Sequence, residues 1–176
     1  MEVPRAIYLI GPRACGKTSV GRALADRLGL DFVDTDHELA RDVGMEIADY
    51  VAARGWDAFR DREAGVLARL AAGPLRVVGC GGGIVLRAEN RSVLSGGVVV
   101  YLRTEPETLA ARLMRDPNEA QRPSLTGKGI VDEVREVLAE RAPLYEACAD
   151  IVLAEAPLAE VVGAALDALK PFSMHF

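Results

Sequence analysis

AIYLIGPRACGKTSVGRALADRL, residues 6–28, passes through three characters in quick succession. Ala6 to Ile10 is an unbroken apolar run, the pattern of a strand buried on both faces. Gly11-Pro12-Arg13-Ala14-Cys15-Gly16-Lys17-Thr18 then matches G-x-x-x-x-G-K-[ST]. Val20, Leu24 and Leu28 follow at four-residue spacing, the stripe of a helix packed on a sheet, and Gly29 stands where such a helix ends. Strand, glycine-rich turn, helix is the context in which this motif holds phosphate. Successive backbone N–H groups curl around the anion, and the helix N-terminus adds partial positive charge. In such a loop Ala14, Cys15, Gly16, Lys17, Thr18 and Ser19 face the nucleotide. Lys17 reaches the β and γ oxygens, and the Thr18 hydroxyl ligates Mg²⁺. A chance glycine-rich turn is the alternative. Ala14 occupies a position where many such loops have Gly, and is tolerated there if its φ is negative.

The rest of the chain repeats the alternation. Asp31–Val33, Val77–Cys80, Val98–Leu102 and Asp150–Leu153 read as further strands. Helical spacing fills His37 to about Leu70, broken at Gly44 and Gly55. It returns from Pro106 to Met114, through Val131, Val134 and Leu138, and after Pro157, with Leu158, Val162, Ala165 and Leu169 on one face. Strands alternating with helices predict an α/β fold, a parallel sheet covered on both faces, with ligands at the carboxyl ends of the strands. Residues 115–129, RDPNEAQRPSLTGKG, are polar and aperiodic, with two prolines and two glycines. A stretch of that length inside a compact unit is usually functional, and here it is expected to be a mobile lid.

The chain of 176 residues suits one domain, 1–176, burying roughly two-thirds of its unfolded surface. A hydrophobic share of 50% with 27% charged residues excludes wholesale disorder, and the net charge of −5 argues against a nucleic-acid partner. No run approaches a membrane span, and MEVPRAIYLIG lacks the basic start and apolar core of a signal peptide. Cys15, Cys80 and Cys148 have no metal-ligand spacing, so reduced thiols in a cytoplasm are expected. If the strand ending at Cys80 neighbours the first, Cys15 and Cys80 sit at adjacent strand ends. A helix N-terminus would favour the thiolate, so thiol reagents are expected to inhibit and ATP to protect.

The phosphate motif alone leaves kinases, GTPases and motor-type ATPases open. No N-K-x-D element reads guanine, and no apolar strand ends in Asp-Glu. Asp34-Thr35-Asp36 follows the second strand instead. On extended chain the two carboxylates point the same way, one toward Mg²⁺ through water and the other toward a substrate hydroxyl. A helix N-cap is the competing reading.

GPRACGKTSVGRALADRLGLDFVDTD, GWDAFRDRE, CGGGIVL, RPSLTGK and ERAPLYE occur in the order and at the spacing of shikimate kinases. From about Ile7 to Leu153 the chain resembles that family, and its loops are most similar to the second isoform of enteric bacteria. The resemblance implies a nucleoside-monophosphate-kinase-like fold with a five-stranded parallel sheet in order 2-3-1-4-5. It implies a Mg²⁺-dependent transferase moving the γ-phosphate of ATP to the 3-hydroxyl of shikimate, in aromatic amino-acid biosynthesis, and acting on small molecules; a monomer is expected. It also implies roles. Lys17, Asp36 and Arg122 are catalytic, with Asp36 binding the hydroxyls and accepting the proton. Arg60 and Arg141 hold the carboxylate, Gly81, Gly82 and Gly83 admit the substrate against bare backbone, and Asp34 with Thr18 serves the metal. Arg115 stacks on adenine, and Arg122 comes over the phosphates. Those roles suit shikimate, a carboxylate on a ring bearing hydroxyls, since guanidinium forks match carboxylates. Taken singly, Arg60 and Arg141 on amphipathic helices read as solvated charges, and Gly81–Gly83 as a plain turn. Ser124 replaces the Leu usual after Arg-Pro, with looser lid packing expected. Trp56, the sole tryptophan, replaces an acidic residue and is expected to line the acceptor pocket. The alternatives are a related kinase acting on another hydroxy acid, which would lack the Arg60 and Arg141 roles, and a nucleotide-binding module without turnover, which would lack Lys17, Asp36 or Arg122.

Overall fold

Five short strands, β1 (Ile7–Ile10), β2 (Phe32–Asp34), β3 (Val77–Gly79), β4 (Val98–Arg103) and β5 (Ile151–Ala154), form a sheet in the order β2-β3-β1-β4-β5. Every pairing is parallel; Leu9, for example, lies beside Gly79 on one flank and Val100 on the other. The structure is a computed structural model and describes residues 6–116 and 124–172. The strand order is the one the family resemblance implies.

The apolar runs are unbroken because the sheet is covered on both faces. Tyr8, Ile10, Val78, Val99 and Tyr101 point to one side, where they pack with Leu39 of α2 (Thr35–Val43), Phe59 and Leu67 of α3 (Ile47–Ala71), Leu94 of α4 (Ala88–Leu94) and Tyr145 of α6 (Ile130–Cys148). Ile7, Leu9, Val77, Val98 and Val100 point to the other, against Val20 and Leu24 of α1 (Lys17–Leu28), Leu109 of α5 (Pro106–Arg115), and Val162 and Leu169 of α7 (Leu158–Leu169). Each of these fully buried side chains contributes about 1.5–3 kcal/mol before chain entropy is counted.

The expected break at Gly44 ends α2 in a left-handed turn. The one at Gly55 interrupts α3 instead: φ is +83° and ψ 169°, a region essentially reserved for glycine. Three expectations need correction. Extended chain stops at Asp34, so Asp36 lies in the first turn of α2 rather than on a strand. Leu158 opens α7 on its exposed side, and Val161 takes the buried place. A 3₁₀ turn, Ile84–Leu86, and helix α4 follow the triple glycine where no element was expected. Among the described residues, no helix is long and apolar enough to cross a membrane.

Candidate active site

Gly11 ends β1, and the loop turns into α1 through Gly16, whose φ of +101° suits only glycine. No side chain caps α1 and no acidic residue stands in its first turn, so its first N–H groups face outward as an anion site. Lys17 Nζ donates to the carbonyls of Gly11 (2.8 Å) and Pro12 (2.7 Å) and approaches Cys15 Sγ at 3.6 Å. Ala14 does not have the expected negative φ. Its φ is +61°, and it is the only described non-glycine residue on the positive side. That conformation costs an L-residue roughly 1–2 kcal/mol, yet it is the conformation that builds the concave row of N–H groups.

The competing N-cap reading of Asp34 is the one observed. Its Oδ1 accepts from the N–H groups of Asp36 (2.9 Å) and His37 (3.1 Å), which fixes the carboxylate at the end of β2. The cap employs Oδ1 and leaves Oδ2 outside it. Asp34 and Thr18 line the same cleft, a space of about 1400 Å³ at the carboxyl ends of the strands. A hydroxyl and a carboxylate beside a phosphate site are the oxygen donors Mg²⁺ takes, with water and phosphate completing its octahedron. No cluster of three or more His, Cys, Asp or Glu side chains able to hold a metal occurs among the described residues.

Across the cleft the triple glycine meets charge. A side chain on Gly81 would strike Asp36 Oδ1 at 2.7 Å and Glu63 Oε2 at 3.0 Å, while one on Gly83 would lie 2.3 Å from the Arg60 guanidinium. The guanidinium therefore lies against bare backbone, pairs with Glu63 Oε1 at 2.7 Å, and sits over the rings of Trp56 and Phe59 at 5.4 and 5.1 Å. Arg141 is only 8% exposed, so neither arginine is a solvated surface charge. Its Nη1 is 3.7 Å from the Cβ position of Gly82, a position that also lies 3.6 Å from Gly11 O and 3.7 Å from Arg13 N. The phosphate loop and Arg141 thus meet at Gly82. The glycine loop is held rather than loose. Thr35 Oγ1 accepts from Gly81 N at 2.9 Å, Tyr145 Oη donates to Gly82 O, and Asn90 donates to Ile84 O at 3.0 Å.

Two participants were missed in the sequence. Glu63, 1% exposed, closes GWDAFRDRE, but a glutamate on a helix reads as a solvent-facing residue. Burial pushes its carboxyl above the ordinary value, against the pull of Arg60, with Asp36 adding to the rise. Tyr145 closes ERAPLY; burial raises its hydroxyl, which shares Gly82 O with no other described side chain. The ERAPLY match itself was the available signal. Glu63 Oε2 and Arg141 Nε are buried without a hydrogen-bond partner, a condition that costs about 1–3 kcal/mol each.

Other expected residues fall outside this constellation. Arg115 ends α5 in an exposed position and does not line the cleft. Arg122 lies in the segment 117–123, outside the described residues. Ser124 donates to Glu133 Oε2 and accepts from Gly127 N at 2.8 Å. Burial pushes up on Glu133, but hydrogen bonds from Ser124, Thr126 and Leu125 outweigh it and hold its carboxyl low. Cys80 does neighbour the phosphate loop's strand, but it is 1% exposed and burial drives its thiol upward, so no reactive thiolate forms there.

Known proteins resemble this chain over most of its length. The family model described as shikimate kinase matches residues 13–170. A shikimate kinase of Nitratidesulfovibrio vulgaris is 56% identical over 158 residues, 89% of this chain and 90% of its own. A shikimate kinase 2 of Yersinia enterocolitica is 48% identical over 160 residues, 90% of this chain and 91% of its own. The solved structure of the Acinetobacter baumannii shikimate kinase in complex with shikimate superposes with a TM-score of 0.87 at 34% identity, covering 99% of this chain and 97% of that one. The chain belongs to the shikimate kinase family, transferases that act on shikimate with ATP.

Proposed function

We propose that the chain phosphorylates the 3-hydroxyl of shikimate, giving shikimate 3-phosphate and ADP, with residues divided between the two ends of the cleft. The observation that carries the reading is the meeting at Gly82, where the phosphate loop and Arg141 both come within 4 Å of the Cβ position of one glycine. Arg60 and Arg141 grip the acceptor's carboxylate, and Gly81 to Gly83 let the ring lie against backbone. Asp36, beside Gly81, takes the hydroxyl proton as the new O–P bond forms and the bond to the β-phosphate oxygen breaks.

The loop N–H groups from Ala14 to Ser19, with Lys17, neutralise the transferring phosphate. Thr18 and Asp34 would hold Mg²⁺, which when bound would supply positive charge to offset that of the phosphates. On sequence grounds Arg115 takes the adenine face, and Arg122, in the lid 115–129, supplies further positive charge while water is excluded. The acceptor grip draws on α2, α3, α6 and the glycine loop of one chain, which supports a monomeric single-domain enzyme. Three unpaired cysteines suit a reducing cytoplasm.

The test is ADP release with Mg-ATP and shikimate, quinate, gluconate or no acceptor. Stimulation by shikimate alone is the expected result. Turnover only with another acceptor would keep the phosphate loop and overturn the acceptor assignment.

A further inference from the structure

The parallel ladder between β2 and β3 finishes on a side chain. Val77 N donates to Asp31 O at 2.9 Å, and Asp34 lies opposite Gly79. Successive N–H groups of such a strand turn to opposite neighbours. Cys80 N accordingly turns to Leu9 O on β1 at 3.0 Å, and Gly81 N turns back toward the β2 side. At the same register its acceptor would be the carbonyl of Thr35. But Thr35 is the first residue of α2, where carbonyls serve the helix. Its hydroxyl takes the carbonyl's place, accepting from Gly81 N at 2.9 Å across 46 residues of sequence. Thr35 is 1% exposed, and it stands between Asp34, whose carboxylate caps α2, and Asp36. Asp36 Oδ1 in turn lies 2.7 Å from the Cβ position of Gly81.

We propose that Thr35 is a positioning residue for phosphoryl transfer: its buried hydroxyl extends the β2–β3 ladder by one bond and so holds the Asp36 carboxylate against the glycine loop. The proposal rests on the reading of Asp36 as the group that takes the hydroxyl proton and of Gly81–Gly83 as the floor beneath the acceptor. The first turn of α2 and the start of the glycine loop then move as one piece. A base held this way keeps its place relative to the acceptor, and misplacement by about 1 Å can cost about 100-fold in rate. The phosphate loop takes no part in the bond, so the effect belongs to the acceptor end. A hydroxyl that served stability alone would lower the melting midpoint when removed and leave kcat of the folded protein at the parent value.

The experiment compares parent, T35V, T35S and D36N on the full chain, with kcat, KM for shikimate and KM for Mg-ATP measured separately. T35V keeps the shape of the side chain but leaves Gly81 N without its acceptor. It is expected to lower kcat by about 10- to 100-fold, with KM for Mg-ATP within about twofold of the parent. T35S restores the hydroxyl and is expected to bring kcat back to within about threefold. If T35V yields too little folded protein, T35A replaces it, since the smaller side chain leaves room for a water at Gly81 N. The same split between kcat and KM for Mg-ATP is then expected at smaller amplitude. Parent kcat in the variant lacking the hydroxyl, an equal loss in T35S, or a matching rise in KM for Mg-ATP would each overturn the positioning role. D36N separates this role from the reading beneath it, and its kcat is expected to fall by about 10²–10⁴-fold. Parent turnover in D36N overturns the assignment of Asp36 itself, whereas an inactive D36N beside an unimpaired T35V overturns the role of Thr35 alone.

Discussion

At the phosphate loop, positive potential comes mainly from backbone N–H groups and one helix terminus, supplied by eight consecutive residues. At the acceptor end it comes from two guanidiniums on different helices, Arg60 on α3 and Arg141 on α6, set against the buried Glu63. The first arrangement has its dipoles fixed by local geometry and buries no unpaired ion. The second withdraws charge from water and leaves Glu63 Oε2 and Arg141 Nε without partners. Buried charge of this kind is weak support for stability. One end of the cleft has the geometry of a general phosphate cradle, and the proposed acceptor end carries its charge at a cost in unsatisfied buried atoms.

That contrast predicts separable kinetics. Lys17→Met strikes the transferring charge and is expected to lower kcat by about 10²–10³-fold, read by steady-state ADP release. Retained turnover would erase the distinction between the ends. Arg141→Met removes half of the carboxylate grip. KM for shikimate should rise by about 30-fold or more, as for truncation of one buried charge partner, with KM for ATP little changed. Trp56, beneath Arg60, supplies the fluorescence signal for the matching binding titration. Equal shifts for both substrates would mean that the two ends are not independent.

Tyr145→Phe is milder. It frees Gly82 O, the point where the ends meet, and is expected to raise KM for shikimate by about five- to tenfold, the worth of one buried hydrogen bond. A Phe variant indistinguishable from the parent would leave the loop held by Thr35 and Asn90 alone. Glu63→Gln gives the smallest effect, and one that depends on pH. A carboxyl raised in the folded state stabilises the fold below its ordinary value of 4.5 and loses that contribution as pH rises through the folded value. The melting midpoint of the Gln variant should therefore gain on that of the parent as pH is raised from 4.5. A difference that stays flat or moves the other way would place Glu63 in a different charge environment.

The same contrast explains how much could be read from the sequence. The phosphate loop is contiguous, so its residues and its context were legible together. The strands were legible for a similar reason, since burial on both faces leaves unbroken apolar runs such as Val98 to Leu102. The acceptor end has no local signature: Arg60, Glu63 and Arg141 each look like ordinary surface residues of a helix. Only the concurrence of family motifs pointed to the arginines, and nothing in the helical pattern marked Glu63 as buried. Helix α4 was missed because seven residues, AENRSVL, are too few to establish a period. Asp34 was read as a metal carboxylate and a possible cap; the capping geometry shows that one oxygen can serve the fold while leaving the other outside the cap.

Gly55 gives α3 two different thermal lives. Ile47–Arg54 and Trp56–Ala71 are separated by one residue outside helical geometry, so cooperative hydrogen bonding is interrupted there. The second half carries Phe59, Glu63, Val66 and Leu67 into the interior, whereas only Tyr50 is buried in the first. Amide protons before Gly55 are therefore expected to exchange through local opening, and those after it chiefly when the sheet itself comes apart. Arg60 and Glu63 belong to the half expected to exchange slowly, and that half is expected to keep its shape when the short helix in front of it opens.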